Sequence, residues 1–141
     1  MTQSIPLETP EHVKSLFKSL CDDEGFRITE STFDQEAFGN IRIVGRIPEF
    51  GIEYVRDRGD ESLFVMVSAK SYLMTDACQL VLGTQLTDTS IEQEENFVRE
   101  NANGLRTCFS KDRLANSIEF LEGLRVERMH RMFPGAVVSN S

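Results

Sequence analysis

Phe50–Ala69, FGIEYVRDRGDESLFVMVSA, is the stretch whose reading decides the fold. Two runs rich in β-branched and aromatic residues, Ile52 to Val55 and Leu63 to Ala69, flank the charged segment Arg56-Asp57-Arg58-Gly59-Asp60-Glu61-Ser62. Gly59 supplies the positive φ that a tight hairpin turn requires, so the stretch reads as a β-hairpin with a polar tip. Along its second arm Leu63, Val65 and Val67 point one way and Phe64 and Met66 the other. Both faces are apolar and both need cover, which places this arm inside a sheet.

Working outward toward the N-terminus, Ile41 to Ile47 sets Ile41, Ile43 and Ile47 on one face against Arg42 and Arg46 on the other, and Pro48 ends the run. Before it, Phe26 to Thr32 alternates as a half-exposed first strand, with Phe26, Ile28 and Glu30 on one side and Arg27, Thr29 and Ser31 on the other. The connections are too short for crossover helices, so the natural pairing of four successive strands is an antiparallel meander. Earlier still, Thr9-Pro10-Glu11 marks a helix start, and Val13, Leu16, Phe17, Leu20 and Cys21 recur along one face until Gly25 ends it. Asp22-Asp23-Glu24 at that helix's C-terminal end is disfavoured by the macrodipole and reads as a solvated turn.

Toward the C-terminus, Tyr72 to Leu82 reads as a short helix closed by Gly83, and the polar run from Thr84 offers Asp88 or Ser90 as the next cap. A longer helix follows from about Ile91 to Phe109, weakened in its middle by Asn101, Asn103 and Gly104, where a break is expected. Ser110 is placed to cap a last helix that Phe133-Pro134 stops, with cations clustered in its final turns. The expected fold is α+β: a four-stranded antiparallel meander with an N-terminal helix and two to three C-terminal helices packed on the sheet. A length of 141 residues fits one domain over 1–141, with a loose tail from about residue 135.

With 40% hydrophobic residues the chain can build a core, and no run approaches the roughly 20 apolar residues of a membrane helix. No export signal is evident at the N-terminus, so a cytoplasmic location is expected. Net charge is −8, distributed as −5 over residues 1–36, −1 over 37–69, −4 over 70–100 and +2 over 101–141. Phosphate recognition needs a basic face, so this balance argues against nucleic acid and permits a basic protein partner. Cys21, Cys78 and Cys108 sit within apolar helical patterns and read as buried thiols, and with only His12 and His130 beside them there is no zinc spacing. A small enzyme using Cys108 or His130 requires those groups to converge in one cleft.

No nucleophile elbow, phosphate-cradling loop or metalloprotease motif occurs, so neither catalysis nor a cofactor is expected. Glu92, Glu94 and Glu95 lack a second motif or a sequence-near histidine and read as a solvated helix start. Arg58-Gly59-Asp60 is read as a turn rather than an adhesion motif.

The order of certain short motifs is more specific. Phe38-Gly39-Asn40-Ile41 opens a strand, Tyr54-Val55-Arg56-Asp57-Arg58-Gly59 forms the hairpin, Tyr72 precedes a short Leu-rich helix, and Arg125 to Pro134, RVERMHRMFP, closes the helical part. Over roughly residues 26–134 this arrangement resembles small bacterial immunity proteins of polymorphic toxin and contact-dependent inhibition systems, although Tyr72 stands where that group has a Trp-Tyr pair. The resemblance implies a cytoplasmic, non-catalytic protein that neutralises a cognate toxin by direct binding. Charge and expected exposure then single out two carboxylate sets for the partner, Asp57, Asp60 and Glu61 on the hairpin and Glu92, Glu94 and Glu95 on the helix. The competing class is an acidic adaptor or secretion chaperone that presents an apolar helix stripe. Monomer and homodimer are both open.

Overall fold

The computed structural model describes residues 4–36, 39–84 and 90–132. Among these the order is α1 (Glu11–Glu24), β1 (Arg27–Asp34), β2 (Asn40–Arg46), β3 (Gly51–Asp57), β4 (Asp60–Val67), β5 (Lys70–Leu73), α2 (Met74–Leu82), α3 (Ile91–Cys108) and α4 (Leu114–Met132). The five strands lie in sequence order, each antiparallel to the next. The α+β class, the N-terminal helix, the meander and the C-terminal helices are as expected, but the sheet has five strands rather than four.

The extra strand arises at Ser68-Ala69. Both residues have positive φ, 52° and 68°, and so does the pair Arg58-Gly59, at 55° and 86°. Each pair is a two-residue hairpin turn with the twist that matches the flanking strands. The first carries the expected glycine. The second has neither Gly nor Asn, and it folds Lys70–Leu73 back onto β4, pairing Val65 with Tyr72. Tyr72 is therefore a strand residue, and α2 starts at Met74.

One face of the sheet is the core. Ile41 and Ile43 from β2, Ile52 and Tyr54 from β3, Leu63, Val65 and Val67 from β4 and Tyr72 from β5 pack with Val13, Leu16, Phe17 and Leu20 of α1 and with the apolar stripes of α2 and α3. Each such buried side chain contributes roughly 1.5–3 kcal/mol. Gly45 lets α1 approach closely: a Cβ there would lie 3.3 Å from the Phe17 ring. The phase of β1 differs from the simple alternation because a bulge at Thr29 shifts the register, setting Ile28, Ser31 and Phe33 opposite Gly45, Ile43 and Ile41. On the opposite face Arg42 donates to Glu53 at 2.5 Å and also pairs with Glu30, while Ser71 donates to Glu53 at 2.9 Å.

Helix ends follow the sequence in most respects. Gly25 and Gly83 close α1 and α2 in the left-handed conformation, and the Ser90 side chain accepts from the Gln93 N–H to cap α3. Asn101 breaks the helical dihedrals inside α3, at φ −125°, as its weak centre implied. Gly104 has a second role there, since an added Cβ would lie 2.8 Å from Val81 of α2. Ser110 does not cap α4: its hydroxyl and N–H both donate back to the Thr107 carbonyl, and a turn intervenes before Leu114. At the acidic end of α1 Asp22 and Asp23 are exposed to solvent as expected, whereas Glu24 is half-buried and pairs with Arg106. Phe38, Asp88, the Phe133-Pro134 stop and the tail lie outside the described residues.

Candidate functional site

Strand alternation puts Glu61 on the same face of β4 as Leu63 and Val65, the face covered by helices. In α3, Glu95 falls on the stripe formed by Val98, Ala102 and Leu105, and it is driven inward with them. His12, beside the fully buried Val13 on α1, stands between these two carboxylates. Its Nδ1 lies 2.5 Å from Glu95 Oε1 and its Nε2 lies 3.0 Å from Glu61 Oε2. Tyr54, opposite Leu63 in the register, donates its hydroxyl to the same Glu61 oxygen at 2.7 Å. A chain of polar contacts thus runs Tyr54, Glu61, His12, Glu95 and ties together β3, β4, α1 and α3.

Proton counting constrains this chain. A neutral imidazole has one N–H, so it can satisfy only one of two flanking carboxylates. Contacts at both nitrogens require one further proton, carried by the imidazole or by a carboxyl group. Burial pushes the Glu95 carboxyl above the usual range, opposed by the hydrogen bond and charge of His12 and by Arg99. Burial also raises the Tyr54 hydroxyl, reinforced by its bond to Glu61, so Tyr54 remains a donor. Glu94, with its neighbour Glu95, is pushed up to about 7, burial being the larger cause.

Two expectations about the helix carboxylates are corrected here. Glu94 and Glu95 are not part of a solvated helix start but are 9% and 3% exposed, while Glu92 is exposed. A histidine does reach Glu95, from 83 positions earlier in the chain. Among the hairpin residues Asp57 and Asp60 are exposed on either side of the turn and Glu61 is half-buried. The tip is anchored laterally: Arg58 N–H donates to Asn40 Oδ1 at 2.9 Å and Arg56 to the Gly39 carbonyl at 3.0 Å. The structure therefore joins one member of each carboxylate set, Glu61 and Glu95, through His12. Beside it a cavity of about 400 Å³ is lined by His12, Ile91, Glu92, Glu95, Asn96 and Arg99.

Sequence reasoning missed His12, Tyr54 and Arg99. A strict seven-residue reading of α3 through Ile91, Val98 and Leu105 carries a signal for the buried acids, since it leaves Glu94 and Glu95 at the inward positions between Ile91 and Val98. All three cysteines are free thiols, two buried and Cys21 half-buried, and burial raises each of them. No hydrogen bond or ion pair joins Cys108 to His130 among the described residues, where His130 is exposed near the end of α4. No cluster of metal-ligating side chains occurs among the described residues, and no helix there is long and apolar enough to cross a membrane. Set against protein-family models, curated proteins and solved structures, the chain matches none of them.

Proposed function

We propose that this chain is a non-catalytic binding protein of the toxin-immunity kind, which neutralises a basic partner domain by docking an acidic face onto it. The observation that supports the reading is the convergence of the hairpin tip and the start of α3 on His12. Half-buried Glu61 of β4 meets His12 of α1, exposed Glu92 of α3 lines the cavity beside it, and exposed Asp57 and Asp60 flank the turn that precedes Glu61. Carboxylates grouped in this way accelerate encounter with a basic surface and bias its orientation. Glu95 and Tyr54 take a different part, positioning Glu61 and His12 rather than meeting the partner. The contacts of His12 with Glu61 and Glu95 fix the hairpin against α1 and α3, so the face is held in place before the partner arrives.

The test is affinity capture from the native cell with the full chain as bait, followed by reconstitution of the captured protein with purified chain. Recovery of one protein carrying a toxic domain, inhibited stoichiometrically on mixing, supports the reading. Recovery of several secretion substrates without inhibition supports the adaptor class instead and overturns it.

A further inference from the structure

Glu92, Glu95, Asn96 and Arg99 recur at the spacing of one face of α3, and with Ile91 and His12 they line the cavity of about 400 Å³ between α3 and α1. Pockets that take small molecules run to roughly 300–1,000 Å³. A glutamate four residues before an arginine on one helix face ordinarily pairs with it along the helix. Among the described residues no ion pair joins Arg99 to Glu95 or to Glu92. Glu95 and Arg99 reach across to α1 instead: Glu95 Oε1 lies 2.5 Å from His12 Nδ1, and Arg99 donates to Ser15 Oγ at 3.4 Å. Opposite charges one turn apart, about 6 Å along the axis, are thereby held separate on the lining of a single cavity.

The chemistry of that lining says what fits between them. Glu95 is 3% exposed, and its Oε2 has no hydrogen-bond partner among the described residues. Glu92 is exposed and likewise unpaired among them. Arg99 uses one of its five N–H donors on Ser15, and Ile91 adds an apolar wall. Both nitrogens of His12 are already engaged, by Glu95 and Glu61, so His12 orients Glu95 and leaves the ligand to the others. A lone cation here would face the arginine, and a lone anion would face two glutamates. A molecule that carries both charges a few bonds apart satisfies every group. We propose that this cavity binds a free α-amino acid with an apolar side chain, its ammonium donating to Glu95 and Glu92, its carboxylate accepting from Arg99, and its side chain lying on Ile91. The site is read from this chain alone and does not rest on the docking of a protein partner, so the failure of either reading leaves the other standing.

Titration of the isotopically labelled full chain with L-leucine to about 20 mM, read from amide correlation spectra, tests it. Saturable shifts are expected at the amides of residues 91–99 and of His12, with a dissociation constant of about 1 mM or below. Leucine without its carboxylate, 3-methylbutylamine, and leucine without its ammonium, 4-methylpentanoate, are each expected to bind at least about tenfold more weakly, having lost one charge-assisted pair. Arg99→Gln is expected to bring leucine down to the affinity of the amine without weakening the amine itself, and Glu92→Gln to weaken leucine and the amine alike. Both side chains are exposed, so the variants are expected to keep the parent spectrum away from the cavity. Absence of saturable shifts with leucine, shifts centred elsewhere, an amine or an acid that binds as well as leucine, or leucine binding indifferent to Arg99→Gln overturns the proposal.

Discussion

Replacing Glu94 by Gln is expected to stabilise this protein at pH 8 and to do so much less at pH 5. Glu94 is 9% exposed, and its carboxyl is pushed from 4.5 to about 7 by desolvation first and by Glu95 second. In the unfolded chain the same group titrates near its ordinary value. Below about pH 4.5 it is protonated in both states and costs nothing. Between about 4.5 and 7 the unfolded chain releases the proton and the folded chain keeps it, so stability falls as pH rises through that window. A full shift of this size corresponds to about 3 kcal/mol. Partial access of water near the start of α3 relieves some of it, leaving about 2 kcal/mol to be recovered by the neutral amide. For a chain of this size that raises the melting temperature at pH 8 by roughly 6 °C. Urea unfolding followed by circular dichroism at pH 5 and pH 8 is the assay. Equal or lower stability of Glu94→Gln at pH 8, or a gain just as large at pH 5, refutes the argument.

Other substitutions read other parts of the account. Gly104→Ala brings a methyl group within 2.8 Å of Val81 and is expected to cost about 1–3 kcal/mol, with Val81→Ala in the same chain recovering part of it in denaturant melts. Changing Ser68-Ala69 to Asn-Gly suits two consecutive positive φ values and is expected to raise stability by about 1 kcal/mol, and a loss of stability contradicts the turn. Tyr54→Phe removes the donor to Glu61 and is expected to cost about 1 kcal/mol without altering the fold, and hydrogen exchange should report looser hairpin amides.

How much of this was legible in the sequence depended on how local each determinant is. The β3–β4 hairpin announced itself because Gly59 lies between two β-branched runs, and the break in α3 because Asn101 is a weak helix former near Gly104. β5 was hidden: a Ser-Ala turn has no compositional mark, and the four-residue strand passes directly into α2, so Tyr72 and Leu73 read as helix. The bulge at Thr29 likewise leaves no trace in an alternating pattern. At the candidate site the acidic positions could be named from charge, but their burial was concealed because carboxylates in a first turn are ordinarily favoured in solvent. The bond from His12 to Glu95 spans 83 positions and depends on how α1 crosses α3, which no local pattern encodes.

The proposed docking face rests on exposed carboxylates around the hairpin tip and the start of α3. Titration calorimetry of the captured partner with parent chain and with Asp57→Lys, Asp60→Lys and Glu92→Lys combined tests it most directly. The account expects at least about a hundredfold weaker binding in the variant and a steep loss of parent affinity between low and high salt. Unchanged affinity in a variant that keeps the parent fold contradicts it.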